Sequence, residues 1–394
     1  MCVFIPRIAI YMRFLFFSTF LSFSCFSVAD SLDNANEQVD FERFVKGYKN
    51  TMVSKLRKKG IPGAALSVVK VDAGEFAYGY GKTKRISGKP ITTSTRFRLA
   101  SVSKTFAGSL AAKLASEGQL KLDDTVTKYL PDFHFHSRDK KLRVSHLLSH
   151  SSGLVPNAYD NLIESRMPYD KIKNKLAEVE PICSPGRCYG YQNVMFSLIG
   201  DVIEKSTQMD YSTWVNEFLF KPLNMKNASL GIQAMMQDDN YAHPHVRARK
   251  RWYTTKIKPN YYKVGPAAGV NASADDMVQW LKAQLGQYPS VLSKESLALQ
   301  STPQIKTKKE LRRRVWRKNL NQAHYGLGWR IYDYKGEKIY YHSGWVQGYR
   351  ADVLVIPRLE LGFSLMINAE AGILNELTTD FLDLTLKQYN KKRA

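Results

Sequence analysis

The sequence predicts a mixed α/β (α+β) fold in which an antiparallel sheet, flanked by helices, is formed from both ends of the chain. Strand-like patterns occupy residues 63–84 and return after residue 325, whereas residues 120–320 contain mainly short amphipathic stretches and polar loops. We therefore expect a sheet domain of residues 30–100 and 325–394 and a mostly helical domain of residues 101–324. The active site is expected at their boundary.

The first strands form a predicted β-hairpin. The text GAALSVVKV is followed by a turn at residues 72–74 and then by EFAYGYGKTK, both rich in small, β-branched and aromatic residues. From Ser101 the apolar residues recur every four positions, at Val102, Phe106, Leu110 and Leu114, which is the spacing of one helix face. A helix of about 16 residues is therefore expected to begin at Ser101.

The start of the chain resembles a secretory signal. Arg7 and Arg13 precede a Phe- and Leu-rich run of residues 14–26, and small residues follow up to Ala29. This run is about 13 residues long, shorter than the roughly 20 apolar residues that span a bilayer. We expect a cleaved signal peptide of residues 1–29 and a bacterial protein that is secreted or periplasmic; a membrane anchor is the alternative.

Composition excludes disordered and fibrous classes, because 44% of the 394 residues are hydrophobic. The formal net charge is +23, which favours association with anionic surfaces. Much of this charge lies in two basic clusters: Arg247, Arg249, Lys250, Arg251, Lys256 and Lys258, then Lys306, Lys308, Lys309, Arg312, Arg313, Arg314, Arg317 and Lys318. A solvated surface explains them; if they bind a partner, we expect anionic envelope polymers or lipid head groups and no nucleic acid, since no recognition module is present.

Removing residues 1–29 leaves two cysteines, Cys183 and Cys188. In an oxidising compartment they could close a small disulfide loop that stabilises the fold by about 2 kcal/mol in the chain-entropy model. Two free thiols are the alternative.

An SxxK pattern at Ser101 and Lys104 opens the predicted helix and places both side chains on one helix face. A lysine there can exchange a proton with the serine, and a helix N-terminus can stabilise a developing anion. The pattern also occurs at residues 67–70, on a predicted strand, and at residues 137–140, in a charged loop. A helix-capping serine beside a solvated lysine is the competing interpretation.

A nucleophilic serine requires a base, and a YxN pattern occurs at Tyr48, Tyr159 and Tyr191. Only Tyr191, with Asn193, lies in a Pro- and Gly-rich turn directly before an apolar helix. A tyrosine acts as a base only if a nearby cation such as Lys104 lowers its pKa. The alternative is a packed aromatic ring with a capping asparagine.

A third element, at residues 342–344 (HSG), lies on a predicted strand near the C-terminus, where a strand edge could bind an extended substrate. Four histidines could suggest a metal cluster, but they come without an HExxH pattern or acidic ligands, so no metal or cofactor is predicted. They are His134, His136, His146 and His150.

Taken together, these residues resemble the class C β-lactamase and penicillin-binding serine hydrolase family. The resemblance runs from about residue 64 to residue 368. It is carried by FRLASVSKTFAGSLAAKLASEGQLKLDDTVTKYLP, HLLSHSSGL, PGRCYGYQNVMFSLIGDVIEKST, AAGVNASADDM, YGLGW, HSGWVQGYRADVLVIP and SLMINAE. It implies a β-lactamase/transpeptidase-like fold.

The resemblance also implies roles for individual residues. Ser101 would be acylated, Lys104 and Tyr191 would share proton transfer to and from it, and Asn193 would position the substrate amide. The backbone N–H groups of Ser101 and Trp345 would form the oxyanion hole. The implied function is an exported serine hydrolase acting on β-lactams or on D-Ala-D-Ala peptides of peptidoglycan.

The HSG element departs from the family pattern. His342, which precedes Ser343 and Gly344, falls where many members carry the lysine of KTG, and Asn368 falls near a position that helps to bind a substrate carboxylate in some class C enzymes. Histidine is mostly neutral above about pH 6.5, so carboxylate binding should be weaker or pH-dependent. Histidine here is also found in D-Ala-D-Ala carboxypeptidases, esterases and D-amino-acid peptidases of this fold.

Two other functions therefore stay open. One is an esterase or D-amino-acid peptidase, and the other is a non-catalytic envelope-binding protein that uses the basic clusters. A monomer is expected.

Overall fold

The computed structural model describes residues 19–136, 141–165 and 167–390. Residues 1–18, the larger part of the expected signal peptide, and the SxxK pattern at residues 137–140 lie outside the described residues. No helix in the described ranges combines the length and the apolar character needed to cross a membrane.

The helical elements differ greatly in length, and the longest lie at the two ends of the described chain. They are α1 (Thr19–Lys58), α2 (Ser103–Ser116), α3 (Val126–Tyr129), α4 (Val144–Leu148), α5 (Asp160–Glu164), α6 (Tyr169–Lys175), α7 (Asn193–Thr207), α8 (Tyr211–Val215), α9 (Ile232–Met235), α10 (Gly265–Ala268), α11 (Ala274–Gln284), α12 (Lys294–Gln300) and α13 (Ile373–Asn390). Most of the elements from residue 103 to residue 300 are helices, as the sequence predicts.

Within the described residues the strands form one large sheet and two small ones. They are β1 (Gly63–Lys70), β2 (Gly74–Gly81), β3 (Phe97–Arg98), β4 (Ser229–Leu230), β5 (His245–Ala248), β6 (Arg251–Thr254), β7 (Val270–Ala272), β8 (Ile305–Lys306), β9 (Leu320–Tyr325), β10 (Arg330–Tyr334), β11 (Glu337–Val346), β12 (Tyr349–Ile356) and β13 (Leu361–Ile367). The large sheet has the order β2-β1-β13-β12-β11-β10-β9-β8.

Pairing between β1 and β13 joins the two ends of the chain. Ala64 lies opposite Ile367 and Lys70 opposite Leu361, and every neighbouring pair in the sheet is antiparallel. The prediction of an antiparallel sheet formed from both ends is confirmed. The sheet also includes β8 and β9, which begin before residue 325. The sequence did not predict these two strands, because their polar residues carry little strand signal.

The large sheet is covered on both faces, and the side chains of β1 show how. Leu66 and Val68 belong to a core shared with α1 and α13, whereas Ala65 and Val69 belong to the core shared with the central helices. This alternation is the two-residue period of a strand whose two faces are both buried. The result is a layered arrangement of helices, sheet and helices.

The segment around Ser101 differs in detail from the expected helix. A 3-10 turn spans Ala100–Val102, and the α-helix begins only at Ser103. Ala100 has a φ of 50°, in the left-handed region that non-glycine residues rarely adopt. The serine thus lies on a tight turn at the start of a helix whose residues 103–114 are all buried.

Candidate active site

Ser101 reaches the surface from an otherwise buried segment. Ser101 is partly exposed, whereas all the remaining residues from Thr95 to Leu114 are buried. The backbone of β11 lies against this turn, since a Cβ atom added at Gly344 would lie 2.0 Å from the carbonyl oxygen of Leu99 and 3.1 Å from the backbone nitrogen of Ser101. Only glycine allows this approach of strand and turn.

The Lys104 side chain is fully buried and has three oxygen neighbours. Its Nζ lies 2.8 Å from Asn193 Oδ1, 3.0 Å from the carbonyl oxygen of Ala267 and 3.3 Å from Ser101 Oγ. The first two oxygens can only accept, so they take two N–H groups of the lysine. In a neutral lysine the remaining direction is a lone pair that points at the serine hydroxyl.

Asp160 fixes the orientation of the Asn193 amide. Asn193 Nδ2 donates to both carboxylate oxygens of Asp160, at 2.9 and 3.2 Å. Its Oδ1 is therefore the atom that faces Lys104. Asn193 is the first residue of α7, and the next turn of that helix holds it through the Ser197 hydroxyl, which donates to its carbonyl oxygen at 2.9 Å.

Electrostatics around Lys104 favour its neutral form. Burial lowers the pKa of Lys104 well below its ordinary value, the carboxylate of Asp160 opposes this, and the cation of Arg330 lowers the pKa further. A lysine with a lowered pKa can accept a proton from a serine near neutral pH.

The loop that carries Tyr191 is fixed to the segment after α4. The backbone N–H groups of Ile182, Gly186 and Gly190 donate to carbonyl oxygens of residues 153, 151 and 150, at 2.8, 2.7 and 2.9 Å. A disulfide between Cys183 and Cys188 closes the loop, as the cysteine spacing predicts. Tyr191 follows directly from this braced segment.

Tyr191 packs beside both members of the SxxK pair. Lys104 Nζ lies 4.8 Å from its ring centroid, and the Ser101 side chain is close enough to lower the pKa of its hydroxyl. Burial raises the pKa of Tyr191 well above its ordinary value, and the Arg330 cation opposes that rise more than any other group. The sequence analysis expected Lys104 to lower the pKa of this tyrosine enough to make it the base. The structure instead favours a protonated tyrosine beside a neutral lysine.

The position of His342 differs from the expectation that it titrates near neutral pH and faces a substrate carboxylate. Its side chain is fully buried. Nδ1 lies 2.9 Å from the carbonyl oxygen of Ser343, which can only accept, so Nδ1 carries the proton and Nε2 accepts from the Tyr325 hydroxyl at 2.8 Å. Burial lowers the pKa of His342 well below its usual value, and the imidazole stays neutral.

Asn368 is likewise engaged within the protein. Its side chain is buried and donates to the carbonyl oxygens of Lys82 and Thr83 at 3.3 and 3.1 Å. It therefore joins the end of β13 to the segment after β2. The carboxylate-binding position that the resemblance suggests is not matched by these contacts.

Trp345, which directly follows the HSG element, is exposed, with 61% of its surface accessible. Its Nε1 donates to Glu370 at 3.3 Å, and the guanidinium of Arg350 lies 4.9 Å from its ring centroid. Both contacts hold the indole beside the turn that carries Ser101.

A cavity of about 280 Å³ opens next to Trp345. Charged residues of both signs line it, together with a tyrosine: Arg98, Glu164, Lys258, Tyr261 and Glu370. Arg98 lies three residues before Ser101 and Trp345 directly follows Gly344, which approaches the Ser101 turn, so the cavity lies near that turn.

A family model described as Beta-lactamase matches residues 41–384, which is most of the chain. The chain belongs to the β-lactamase family. It is 24% identical to Protein flp of Staphylococcus aureus (strain MW2) over 336 residues, which cover 82% of this chain and 62% of that protein. It is 29% identical to a Beta-lactamase of Yersinia enterocolitica over 240 residues, covering 60% of this chain and 58% of that one. The chain thus spans about six tenths of the length of these relatives.

Solved structures of the family share the fold. The octameric penicillin-binding protein homologue from Pyrococcus abyssi superposes with a TM-score of 0.73 at 24% identity, covering 83% of this chain and 74% of that one. A mutant of a class C β-lactamase superposes with a TM-score of 0.71 at 19% identity, covering 86% and 96%. The resemblance drawn from the sequence is confirmed at the level of family and fold.

The structure brings together Ser101, Lys104, Tyr191 and Asn193, places Gly344 against the Ser101 turn, and places the His342 ring 6.4 Å from that of Tyr191. Sequence reasoning missed Asp160 and Arg330. A signal existed for both, since Asp160 follows Tyr159 within a YxN pattern, and Arg330 directly follows the YGLGW text. Neither position has a local pattern that reveals its long-range partner.

The close approach of Gly344 to Ser101 yields a test. Gly344→Ala places a methyl group on the carbonyl oxygen of Leu99, so the turn must move, and we expect turnover to fall by about a hundredfold because displacements near 1 Å have that effect. Gly372→Ala is the control, since an added Cβ there meets nothing within 4 Å. Steady-state kinetics and thermal melting of both variants would be compared; native turnover in Gly344→Ala would contradict the close approach.

Proposed function

We propose that this β-lactamase-family protein is an active-site serine hydrolase that forms an acyl-enzyme on Ser101 with β-lactams or with D-Ala-D-Ala peptides. The observation that carries the proposal is the Lys104 side chain, whose two hydrogen-bond acceptors leave its third direction for Ser101 Oγ at 3.3 Å. A buried lysine held in this way is a base prepared for one particular hydroxyl.

In the acylation step Ser101 Oγ attacks the substrate carbonyl and its proton passes to neutral Lys104. The carbonyl oxygen gains the negative charge, which the backbone N–H groups of Ser101 and Trp345 would stabilise. When the C–N bond breaks, the leaving nitrogen takes a proton from the Tyr191 hydroxyl, which regains one from Lys104. Water then hydrolyses the ester by the reverse transfers.

Substrate binding would use the cavity beside Trp345. Its walls carry guanidinium, ammonium and carboxylate groups, so polar and charged acyl groups suit it better than aliphatic ones. Asn193 would hold the substrate amide only through the part of its side chain not bonded to Lys104 and Asp160.

A second candidate function is that of an esterase or a D-amino-acid peptidase. The neutral, buried state of His342 favours it, because the strand beside the site then offers no cation to a substrate carboxylate. The same serine, lysine and tyrosine would act on either class of substrate.

Export of the protein is part of the proposal. The apolar segment before Ala29, with its preceding arginines, supports a cleaved signal peptide. The disulfide of Cys183 and Cys188 is in keeping with an oxidising compartment such as the periplasm or the outside of the cell.

Intact-mass spectrometry with a fluorescent penicillin tests the acyl-enzyme. We expect an adduct on the native protein and none on Ser101→Ala, because only the serine hydroxyl can be acylated. An adduct that persists indicates a penicillin-binding protein, and one that decays with release of hydrolysed drug indicates a lactamase. Turnover of p-nitrophenyl esters without any adduct would favour the esterase, and no reaction with either probe would refute a hydrolase.

Tyr191→Phe tests the proton relay. The variant keeps the ring beside Lys104 but lacks the hydroxyl, so we expect a loss of at least about a hundredfold in turnover with little change in melting temperature. Tyr48→Phe is the matched control, because it removes the hydroxyl of another YxN tyrosine that packs on the opposite face of the sheet. Near-native kinetics in Tyr191→Phe would remove this residue from the mechanism.

The basic clusters suggest binding to anionic envelope polymers or lipid head groups. The first cluster includes the tip of the β5–β6 hairpin, where Arg247, Arg249, Lys250 and Arg251 are exposed, and the basic residues of the second cluster are exposed as well. We expect sedimentation with anionic vesicles that weakens as salt is raised. Arg249→Ser/Lys250→Ser/Arg251→Ser should weaken it more than Lys205→Ser/Lys221→Ser/Lys226→Ser, which removes the same charge elsewhere; equal effects would leave net charge as the cause.

A further inference from the structure

We propose that Arg330, paired with Glu310, is a positioning residue that supplies the positive charge acting on Tyr191 and Lys104. This proposal rests on the proposed function. It gives the active site a cation from β10 at a place where the strand β11 offers only the neutral imidazole of His342.

The position of Arg330 in the sheet directs it toward the tyrosine. Arg330 is the first residue of β10 and lies between Tyr325 on β9 and Tyr341 on β11. Its guanidinium carbon lies 5.6 Å from the ring centroid of Tyr191 and 5.7 Å from that of Tyr325, within the range of a cation–π contact. The side chain is buried, so water screens its charge only weakly.

Glu310 forms an ion pair with this guanidinium. The distance from Arg330 Nη1 to Glu310 Oε1 is 2.7 Å, and both side chains are at least nine-tenths buried. The other carboxylate oxygen of Glu310 accepts from the Tyr332 hydroxyl at 2.9 Å and from Arg313 at 2.9 Å. One carboxylate thus faces two arginines, and an excess of positive charge stays next to Tyr191.

The groups that face Tyr191 and Lys104 come from several elements. They are Ser101 on the 3-10 turn, His150 after α4, Asp160 on α5, Tyr189 in the tyrosine loop, Tyr325 on β9, Arg330 on β10 and His342 on β11. Burial lowers the pKa of both histidines well below the usual value, so they carry no charge at neutral pH.

Two charged groups therefore act in opposite directions on the pKa values of Lys104 and Tyr191. The carboxylate of Asp160 raises the pKa of Lys104, whereas the Arg330 cation lowers the pKa of both Lys104 and Tyr191. Arg330 thus favours the deprotonated form of either residue. The same direction of effect follows whether the lysine or the tyrosine accepts the proton of Ser101.

A purely structural ion pair predicts something different. Loss of a buried pair would lower stability, and with it the amount of active enzyme, but it would not move the pH at which activity appears. Changing the two partners separately distinguishes these roles, because removal of the cation and removal of the anion should shift the pH profile in opposite directions.

The experiment measures kcat/KM for a neutral p-nitrophenyl ester as a function of pH. In Arg330→Met the ascending limb should move up by about one pH unit, with roughly tenfold lower activity at its lower end, because the base is then harder to deprotonate. In Glu310→Gln it should move down, and in Arg330→Lys it should stay near the native midpoint. Arg330→Gln replaces the methionine variant if that variant does not fold.

The matched control is Arg96→Met. Arg96 is also a buried arginine in an ion pair, with Asp238 at 2.6 Å, and it is not among the groups that act on Tyr191 or Lys104. We expect its melting temperature to fall and its pH midpoint to stay unchanged. Midpoints that stay fixed in the Arg330 and Glu310 variants, or that shift in the same direction, would overturn the proposal.

A second measurement separates this proposal from the proposed function. Carbon NMR of lysine labelled at Cε reports the protonation of Lys104, assigned by Lys104→Met, and needs no turnover. The midpoint of Lys104 should rise in Arg330→Met and fall in Glu310→Gln. If the native protein hydrolyses nothing but these shifts occur, the charge coupling stands and the proposed function fails; absent shifts in an active enzyme refute the coupling alone.

Discussion

A buried lysine amine is the constraint on which the site depends. Taking a charged ammonium out of water is costly, so a lysine in this place either finds partners or loses its proton. Lys104 does both, since Asn193 and Ala267 provide acceptors while burial disfavours the charged form. The amine of Lys104 thereby connects three elements: the start of α7, the end of α10 and the turn before α2.

The sequence predicted the members of the site that lie within recognisable patterns. Ser101, Lys104 and Tyr191 could be selected from their decoys because helix, strand and loop contexts differ; Ser67, for example, lies on β1 and bonds the carbonyl oxygen of Ala274. The alternating strand patterns near both ends of the chain likewise predicted the large sheet. Burial of His342 was not, because a strand pattern does not tell which neighbours will enclose a polar side chain.

The contacts of Asp160 and Arg330 could not be foreseen for a related reason. Asp160 is 33 residues from Asn193, and the partner of Arg330 lies on a short 3-10 turn in a segment with a strongly basic sequence. In such a segment Glu310 appears as a solvated counter-charge. Its burial against β10 depends on tertiary packing, which local patterns do not encode.

The strand order also has a consequence for how the molecule comes into being. β1 lies between β2 and β13 in the sheet, so one of its edges can pair only after β13, about 300 residues later, has been synthesised. During synthesis the nascent hairpin has an unpaired edge, and the turn that carries Ser101 does not yet have β11 packed against it. The candidate site can therefore assemble only when nearly the whole polypeptide has been made, and Ser101 meets its partners late in synthesis.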